Sequence, residues 1–358
     1  MANPVERLAY AAAQTARVGW YFGQYFVSAR LARGSMPRPK ISGATPRTQA
    51  ILAELRALML RDWRNIEAGL YRLPHNLVEP PHRALADARA YFRDLPKVND
   101  RRRARGNAEV FRTPPAGTPK LPRYYLQNFH YQTDGYLSDR SARLYEHQVE
   151  VLFGGGADAM RRQALVPIHH YVKHRVPENV RLLDLACGTG PMLAAVRDNH
   201  PRLELTGIDL SAPYLAEARR RVGRGRGPLR ALREGRGRPV RYVQAAAEAI
   251  PLPDASQDLV TCVYLFHELP RKVRAQAAAE IARVLKPGGQ FVFLDSLQAH
   301  DRPDFAGLLE YFPQAFHEPY YADYVKCDLA GLFGKAGLDL AASDLVFMSK
   351  LLVFEKPS

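Results

Sequence analysis

The sequence predicts an α/β fold: a seven-stranded, mostly parallel sheet with an antiparallel carboxyl-terminal edge strand, preceded by a mainly helical amino-terminal extension. Three observations predict it. Short apolar runs alternate with helical periodicity from residue 180 onward. The first run ends in Gly188-Thr-Gly190, a turn typical of a strand that leads into a ligand-binding helix. The last two runs are adjacent in sequence, which indicates a meander rather than another crossover.

Composition narrows the class of protein. The 358 residues, 47% of them hydrophobic, can form one large or two moderate cores. No stretch approaches the roughly 18 apolar residues of a spanning helix, and the amino terminus lacks the residue order of a secretion signal. Because Cys187, Cys262 and Cys327 have no metal-ligand spacing, we expect structural thiols, no metal site and a cytoplasmic protein.

The net charge of +15 comes mostly from arginine in an alanine-rich chain, a usage typical of a GC-rich coding sequence. A nucleic-acid surface would also cluster aromatic or hydrogen-bonding groups with its charges, so nucleic acid is disfavoured as a partner. The Arg/Gly-rich tract at 219–239 is read as an exposed insertion, with RNA binding as its alternative.

The chain divides into a helical extension with a basic linker (1–122), an aromatic lid and helical segment (123–175) and a core domain (176–358). Residues 5–33 form the first predicted helix, with Val18, Phe22 and Phe26 on one apolar face. This helix packs on its own domain, makes peripheral contact with the inner face of the membrane, or caps an apolar substrate.

Further along, Thr45-Pro46 predicts the start of a helix that runs through Leu70, and a second helix covers 84–93. Residues 95–122, with the basic run Arg101-Arg-Arg-Ala-Arg105, are expected to be a solvated loop. The aromatic stretch 123–138 is either a lid over a ligand or a domain interface, and helices are predicted at 141–153 and 157–173.

Strands and helices alternate in the core domain. Strands are predicted from 180 and at 203–209, 240–244, 258–264, 290–296, 338–346 and 350–355, with helices at 212–222, 272–285 and 322–336. Asp184 lies in the first strand and Asp209 ends the second, where a carboxylate can hold ribose hydroxyls. Because Leu193 stands at the third glycine position of a dinucleotide loop, the loop suits adenosine with a small charged tail.

Together the motifs Leu183-Asp-Leu-Ala-Cys-Gly-Thr-Gly190, Gly207-Ile-Asp-Leu-Ser211, Glu248-Ala-Ile-Pro-Leu-Pro253 and Val284-Leu-Lys-Pro-Gly-Gly289 carry a family resemblance. They resemble the class I S-adenosylmethionine-dependent methyltransferases, and within them the methyltransferase type 11 branch typified by ubiquinone/menaquinone C-methyltransferases. The resemblance covers about residues 160–356 and implies a Rossmann-like sheet.

By this resemblance, S-adenosyl-L-methionine is the cofactor and S-adenosyl-L-homocysteine the product. The cofactor-binding residues it implies are Asp184, Ala186, Cys187, Gly188, Thr189, Gly190, Asp209, Leu210, Ala246, Ala247, Glu248, Phe266 and Tyr136. The sequence departs from the family at Ala246, where an acidic residue usually binds the adenine amino group. Loss of one charge-assisted hydrogen bond would weaken binding by about 1.5–3 kcal/mol unless Gln244 or Glu248 substitutes for it.

Methyl transfer needs alignment and exclusion of water, and it needs a base only when the acceptor is protonated. Candidates for that base are His267, Glu268, His317 and Glu318. An aromatic acceptor pocket is predicted from Tyr131, Tyr311, Phe312, Phe316, Tyr320 and Tyr321.

The predicted function is therefore methyl transfer to a small aromatic or lipid-like molecule. Two alternatives stay open at this stage. One is an RNA methyltransferase that uses the Arg/Gly-rich tract, and the other is a non-catalytic module that binds S-adenosylmethionine or S-adenosylhomocysteine. The sequence predicts neither the acceptor atom nor the oligomeric state.

Overall fold

The computed structural model describes residues 4–35, 40–104, 121–224 and 237–358. Its centre is one seven-stranded sheet of strand order β3-β2-β1-β4-β5-β7-β6. The strands are β1 (Arg181–Leu185), β2 (Glu204–Asp209), β3 (Val240–Gln244), β4 (Gln257–Val263), β5 (Leu285–Ser296), β6 (Asp339–Val346) and β7 (Ser349–Glu355). Neighbours from β3 to β5 are parallel, whereas β7 pairs antiparallel with β5 and with β6. The predicted fold class is confirmed.

Helices cover the sheet on both faces and build the amino-terminal extension. They are α1 (Pro4–Leu31), α2 (Thr48–Glu67), α3 (Pro81–Ala104), α4 (Asp139–Leu152), α5 (Ala157–Arg162), α6 (Leu165–Val172), α7 (Pro191–Asn199), α8 (Ala212–Arg224), α9 (Arg271–Val284), α10 (Ala306–Ala315), α11 (Tyr321–Tyr324) and α12 (Leu329–Lys335). Alternate residues of β1 serve the two layers: Leu182 packs in the core that includes α5 to α7, and Leu183 in the core that includes α9 and α12.

Several predicted boundaries were wrong. Helix α2 begins at Thr48, because the preceding segment runs extended along α10 and the Ala44 carbonyl accepts a hydrogen bond from the Gly307 amide at 2.7 Å. The predicted helix at 157–173 is interrupted between α5 and α6. The predicted helix at 322–336 is divided into α11 and α12, and Asp328 caps the start of α12 by accepting a hydrogen bond from the Gly331 amide. Strand β5 already begins at Leu285, within the predicted helix end.

The basic run at 101–105 is not a solvated loop over its described part. Helix α3 continues through Pro96 to Ala104. The Arg101 guanidinium donates to the Tyr131 carbonyl at 2.7 Å, and Arg102, which is buried, donates to the Ala315 carbonyl at 2.9 Å. These arginines therefore hold other segments of the protein in place. Residues 105–120 of the predicted loop and 225–236 of the Arg/Gly-rich tract lie outside the described residues.

The extension is bonded to the helical segment at 123–175 through a buried carboxylate. Asp62 on α2 accepts hydrogen bonds from the Arg162 guanidinium at 2.6 and 3.0 Å, from Tyr71 at 2.7 Å and from Tyr10 at 2.5 Å. Breaking a buried, fully paired ion pair of this kind costs about 3–5 kcal/mol, so α1, α2 and α5 are expected to be displaced only together. Over the described residues, no helix has the length and hydropathy required to cross a bilayer.

Helix α1 packs on α2, α3 and α4, as expected for a helix that packs on the rest of the protein. The buried face differs from the predicted one, because it carries Tyr10, Gln14, Tyr21, Gln24 and Ser28. The apolar stripe proposed from the sequence is half-buried at Val18 and Phe22 and exposed at Phe26.

Candidate functional site

A cavity of about 940 Å³, counting the solvent at its mouth, lies at the carboxyl ends of β1, β2 and β4. The strand order reverses between β1 and β4, and ligands of open α/β sheets bind at such a switch point. The core domain lines it with Asp184, Ala186, Cys187, Gly188, Thr189, Asp209, Leu210, Ala247, Leu265 and Glu268, among others. Tyr124, Tyr125, Phe129, Tyr136 and Tyr145 line it from the preceding segment.

The glycine loop between β1 and α7 needs left-handed backbone. Gly188 has φ +54°, and no atom lies within 4 Å of the place where a Cβ would be, so its surface is open to a ligand. Gly190, with φ +79°, has a different role, because a Cβ there would meet Ala218 of α8 at 2.9 Å. It sets the packing of the loop on α8 and is not among the residues that line the cavity.

Asp184 supplies a buried carboxylate to the cavity wall. Its Oδ1 accepts a hydrogen bond from the Thr261 hydroxyl at 2.7 Å, while Oδ2 has no hydrogen-bond partner among the described residues. Burial raises the pKa of Asp184 to about 7. A cationic group with N–H donors would satisfy the unpaired oxygen, so the site fits the ammonium group of an amino-acid ligand.

Asp209 is oriented by main-chain donors. Its two oxygens accept from the amides of Gly188 and Ser211, each at 2.8 Å. Burial raises its pKa to about 6, although both amide bonds lower it. Each carboxylate oxygen keeps a second lone pair, so the side chain can still accept two hydroxyl donors from a ribose.

The cavity lining near Ala246 differs from the residues predicted to bind adenine. Ala246 and Glu248 are not among its lining residues, whereas Ala245 and Ala247 are. Both oxygens of Glu248 accept from the Tyr124 hydroxyl, at 2.7 and 2.8 Å, and the Gln244 amide donates to the Leu210 carbonyl at 2.9 Å. The two residues expected to compensate for Ala246 are therefore engaged elsewhere.

Aromatic rings from the segment before the core domain and from α8 form part of the cavity wall. Tyr136 stacks on Phe129 with 5.6 Å between ring centroids and meets Tyr214 edge-on at 5.4 Å. Tyr145 completes the group, 5.8 Å from Tyr136. The aromatic stretch at 123–138 indicated part of this wall, but Tyr145 and Tyr214 are single tyrosines in helices, and no sequence pattern marks them.

Two histidines and two glutamates meet beside this wall and form what we call the acid–histidine cluster: His130, His267, Glu268 and Glu318. Glu268 lines the cavity and accepts a hydrogen bond from the Tyr136 hydroxyl. His130 lies between the two carboxylates, with Nδ1 3.1 Å from Glu318 and Nε2 3.8 Å from Glu268. Sequence reasoning named Glu318 as a candidate base but missed His130, which lies far from it in the chain.

The charges of the cluster are strongly shifted by their surroundings. Burial opposes protonation of His267, but the Asp295 carboxylate, 2.6 Å from Nδ1, outweighs it and raises the pKa of His267 to about 9. Burial raises the pKa of Glu268 to about 7, and it raises that of Glu318 well above its ordinary value. Burial lowers the pKa of His130 to about 3. Near neutral pH, His267 is thus cationic and Glu268 can gain or lose a proton.

Among the described residues, only His267, Glu268 and Glu318 group their ligand atoms as closely as a cation would need, all within 4.8 Å of one another. The imidazolium of His267 already places a positive charge beside these carboxylates, and the ring of His130 lies between them. We therefore treat the group as an acid–base cluster.

Two predicted site residues lie elsewhere. Phe266 is fully buried in the core, with its ring centroid 5.4 Å from that of Phe293, and the neighbouring Leu265 takes its place on the cavity wall. His317 faces Gln127, with 3.0 Å between Nε2 and Oε1, and does not line the cavity. Its chain neighbour Glu318 is the residue that reaches the cluster.

The aromatic residues predicted to form the acceptor pocket divide into two sets, and none of the six lines the cavity itself. Phe312, Phe316 and Tyr321 surround the acid–histidine cluster, with ring centroids 5.9 and 6.0 Å from His130 and 6.1 Å from His267, respectively. Tyr131 lies against His317 with 5.8 Å between ring centroids, and Tyr320 packs against the group that includes Phe129 and Tyr136.

Residues 183–293 match the family model described as a methyltransferase domain. A demethylmenaquinone methyltransferase of Thermus thermophilus is 35% identical over 144 residues, which cover 40% of this chain and 57% of the relative. A fatty-acid O-methyltransferase of Mycolicibacterium smegmatis is 27% identical over 153 residues, covering 43% of this chain and 50% of the relative. The matches thus span less than two thirds of either relative.

A solved structure of similar fold is a complex of the Haloferax volcanii Trm112 methyltransferase activator with a methyltransferase. The similarity covers 62% of this chain and 97% of that chain at 18% sequence identity, with a TM-score of 0.42.

Proposed function

We propose that this chain transfers a methyl group to a small aromatic or lipid-like acceptor. The premise is that residues 183–293 are a methyltransferase domain of the class I S-adenosylmethionine-dependent type. One observation supports it above the others: the cavity that holds the unpaired carboxylate oxygen of Asp184 also holds Glu268. An ammonium-binding group and a proton acceptor thus face one space.

Asp184, the loop at Gly188 and Asp209 would hold the methionine and ribose portions of S-adenosylmethionine. When bound, that molecule supplies an electrophilic methyl group on a sulfonium. The protein must then align the acceptor with it and keep water out, which the aromatic wall of Tyr136 and Phe129 can do.

Glu268 is the residue we assign to remove the acceptor proton, because it lines the cavity and its pKa of about 7 suits a base at neutral pH. His267 lies behind it and is cationic through Asp295, so it stabilises the ionised form of Glu268. Tyr136 positions the same carboxylate through its hydroxyl. These assignments suit an acceptor with an O–H or other acidic group.

The lipid-like class of acceptor rests on two supports. The relatives that match act, by their names, on a menaquinone precursor and on fatty acids. In this chain, the rings of Phe312, Phe316 and Tyr321 provide an apolar surround for the cluster. An RNA acceptor is less well supported, because Arg101 and Arg102 of the basic run are bonded to backbone carbonyls.

The test is methyl transfer from labelled S-adenosylmethionine into a fractionated cell extract. We expect the purified full chain to label the organic-soluble fraction. Label that appears only in RNA or protein would overturn the acceptor class. Calorimetry that detects no binding of S-adenosylmethionine or S-adenosylhomocysteine in the millimolar range would overturn the enzyme itself and favour a scaffold.

A further inference from the structure

Helix α1 exposes a long face without a single charge. All its residues are described, and each exposed position between 8 and 27 carries alanine, glycine, threonine, tyrosine or a larger apolar side chain. Leu8 is 73% exposed, Phe26 59% and Val27 50%. At about 100° per residue, these positions share an arc with Gly19 and Gly23, and we call this arc the outer face of α1.

The polar groups of the same helix point the other way. Gln14 and Gln24 are buried, and Gln24 pairs with His147 at 2.8 Å. Arg17 turns inward to Glu150 at 2.7 Å. The hydroxyl of Thr15, on the outer face, donates to the Ala11 carbonyl of the helix at 2.8 Å. A surface helix normally buries its apolar side and exposes its polar side, and α1 does the reverse.

Positive charge stands at the carboxyl-terminal end of the outer face, where Arg30 and Arg33 are both exposed. At the other end the exposed Arg7 beside Leu8 is balanced by the exposed Glu6. Trp20, 37% exposed, lies at the edge of the face, and an indole there suits the boundary between apolar and polar surroundings. An apolar arc ended by arginines is complementary to acyl chains beneath anionic headgroups.

We propose that the outer face of α1 binds the surface of an anionic membrane, with the helix lying in the plane of the interface. A second copy of the chain suits this face less well. In a parallel pair Arg30 would meet its own counterpart, and any pair would bring together two chains of net charge +15. Anionic lipid attracts the same charges.

This inference does not rest on the proposed methyl transfer, but it fits that function. Tyr25 of α1 lies near Tyr311 of α10. Phe312, the next residue of α10, and Phe316, just after the helix, lie against His130 of the acid–histidine cluster. A membrane-bound α1 would therefore place the lipid phase beside the helix that borders the cluster.

The experiment measures sedimentation of the full chain with vesicles of phosphatidylcholine alone and with one quarter phosphatidylglycerol. Gly19 and Gly23 are suitable sites for variants, since a Cβ at either meets nothing within 4 Å. We expect binding to the anionic vesicles, a loss of at least about tenfold in the double variant G19E/G23E, and retention in the matched control G19A/G23A.

A third variant separates the membrane from a second copy. G19L/G23L adds apolar bulk, so vesicle binding should be kept or increased, whereas close packing between two α1 helices would be broken. A dimer in lipid-free sedimentation that G19L/G23L dissociates, or equal vesicle binding by G19E/G23E and G19A/G23A, would overturn the proposal. Cofactor affinity measured on the same variants should not change. A negative result in vesicle binding can therefore be told apart from a failure of the proposed methyl transfer.

Discussion

The two walls of the cavity are built in different ways. The core wall, formed by the ends of β1 and β2, places Asp184, Gly188 and Asp209 by strand pairing and by hydrogen bonds within about 25 residues of chain. The covering wall is formed by residues 124–145 and is held by contacts with the distant segment 311–321, such as the hydrogen bond from the His130 amide to the His317 carbonyl at 3.3 Å. The core wall is suited to hold one ligand in a fixed position, whereas the covering wall is the part of the site that we expect to differ between related enzymes.

Glu268 lies where the two walls meet, so its removal gives the largest expected effect. E268Q keeps the shape and the Tyr136 contact but cannot take a proton, and we expect a rate loss of about 10²–10⁴-fold with an acceptor that must be deprotonated. Cofactor affinity should change little. The control is E248Q, because Glu248 is bonded to Tyr124 and is not among the cavity's lining residues. Equal rates in E268Q and E248Q would show that Glu268 does not remove the acceptor proton.

A substitution of Asp184 tests the core wall alone. D184N retains a side chain that can bond to Thr261 but loses the negative charge, and a charge-assisted hydrogen bond is stronger than its neutral counterpart by about 1.5–2 kcal/mol. Calorimetry should therefore show S-adenosylmethionine binding weakened by roughly 10- to 30-fold. T261V, which removes only the neighbouring hydroxyl, should weaken it less. An unchanged affinity in D184N would show that the unpaired oxygen does not meet the ligand.

Arg102 tests the covering wall. Its guanidinium is buried, donates to the Ala315 carbonyl and to Asn99, and lies 5.4 Å from the ring of Phe316. R102M should lower the free energy of unfolding in urea by about 1.5–3 kcal/mol and reduce turnover while leaving cofactor affinity intact. The matched control is R103M, since Arg103 is exposed and pairs with Asp100. A loss of cofactor affinity in R102M would mean that the two walls are not independent.

The contrast between the two walls also explains which features of the structure could be predicted from the sequence. Strand pattern and glycine spacing are local, so they predicted the seven strands and the carboxylates that end or interrupt them. They could not predict that residues 188 positions apart, His130 and Glu318, would meet. Nor could they show that the basic run at Arg101 would bond to backbone carbonyls, because a carbonyl acceptor leaves no mark in the sequence.

Local pattern also failed to show which face of α1 packs on the protein. Apolar periodicity placed Val18, Phe22 and Phe26 on one face and left open whether the protein, a membrane or a substrate covers it. The helix instead buries the two glutamines, because Gln24 meets His147 of α4 while Tyr10 reaches the buried Asp62. Polar partners on other elements therefore decided the orientation, and hydrophobicity along a single helix could not reveal them.

The smallest expected effect is the pH dependence of cofactor binding, and it belongs to the core wall. Burial raises the pKa of Asp184 to about 7, so the carboxylate that should pair with an ammonium is lost as pH falls through 7. Between pH 8 and pH 6 the ionised fraction drops about tenfold, and affinity should fall by the same factor. D184N should be nearly flat over this range, with only a weaker decline near pH 6 from Asp209. Affinity that rises on acidification, or an equal slope in D184N, would assign the titration to another group.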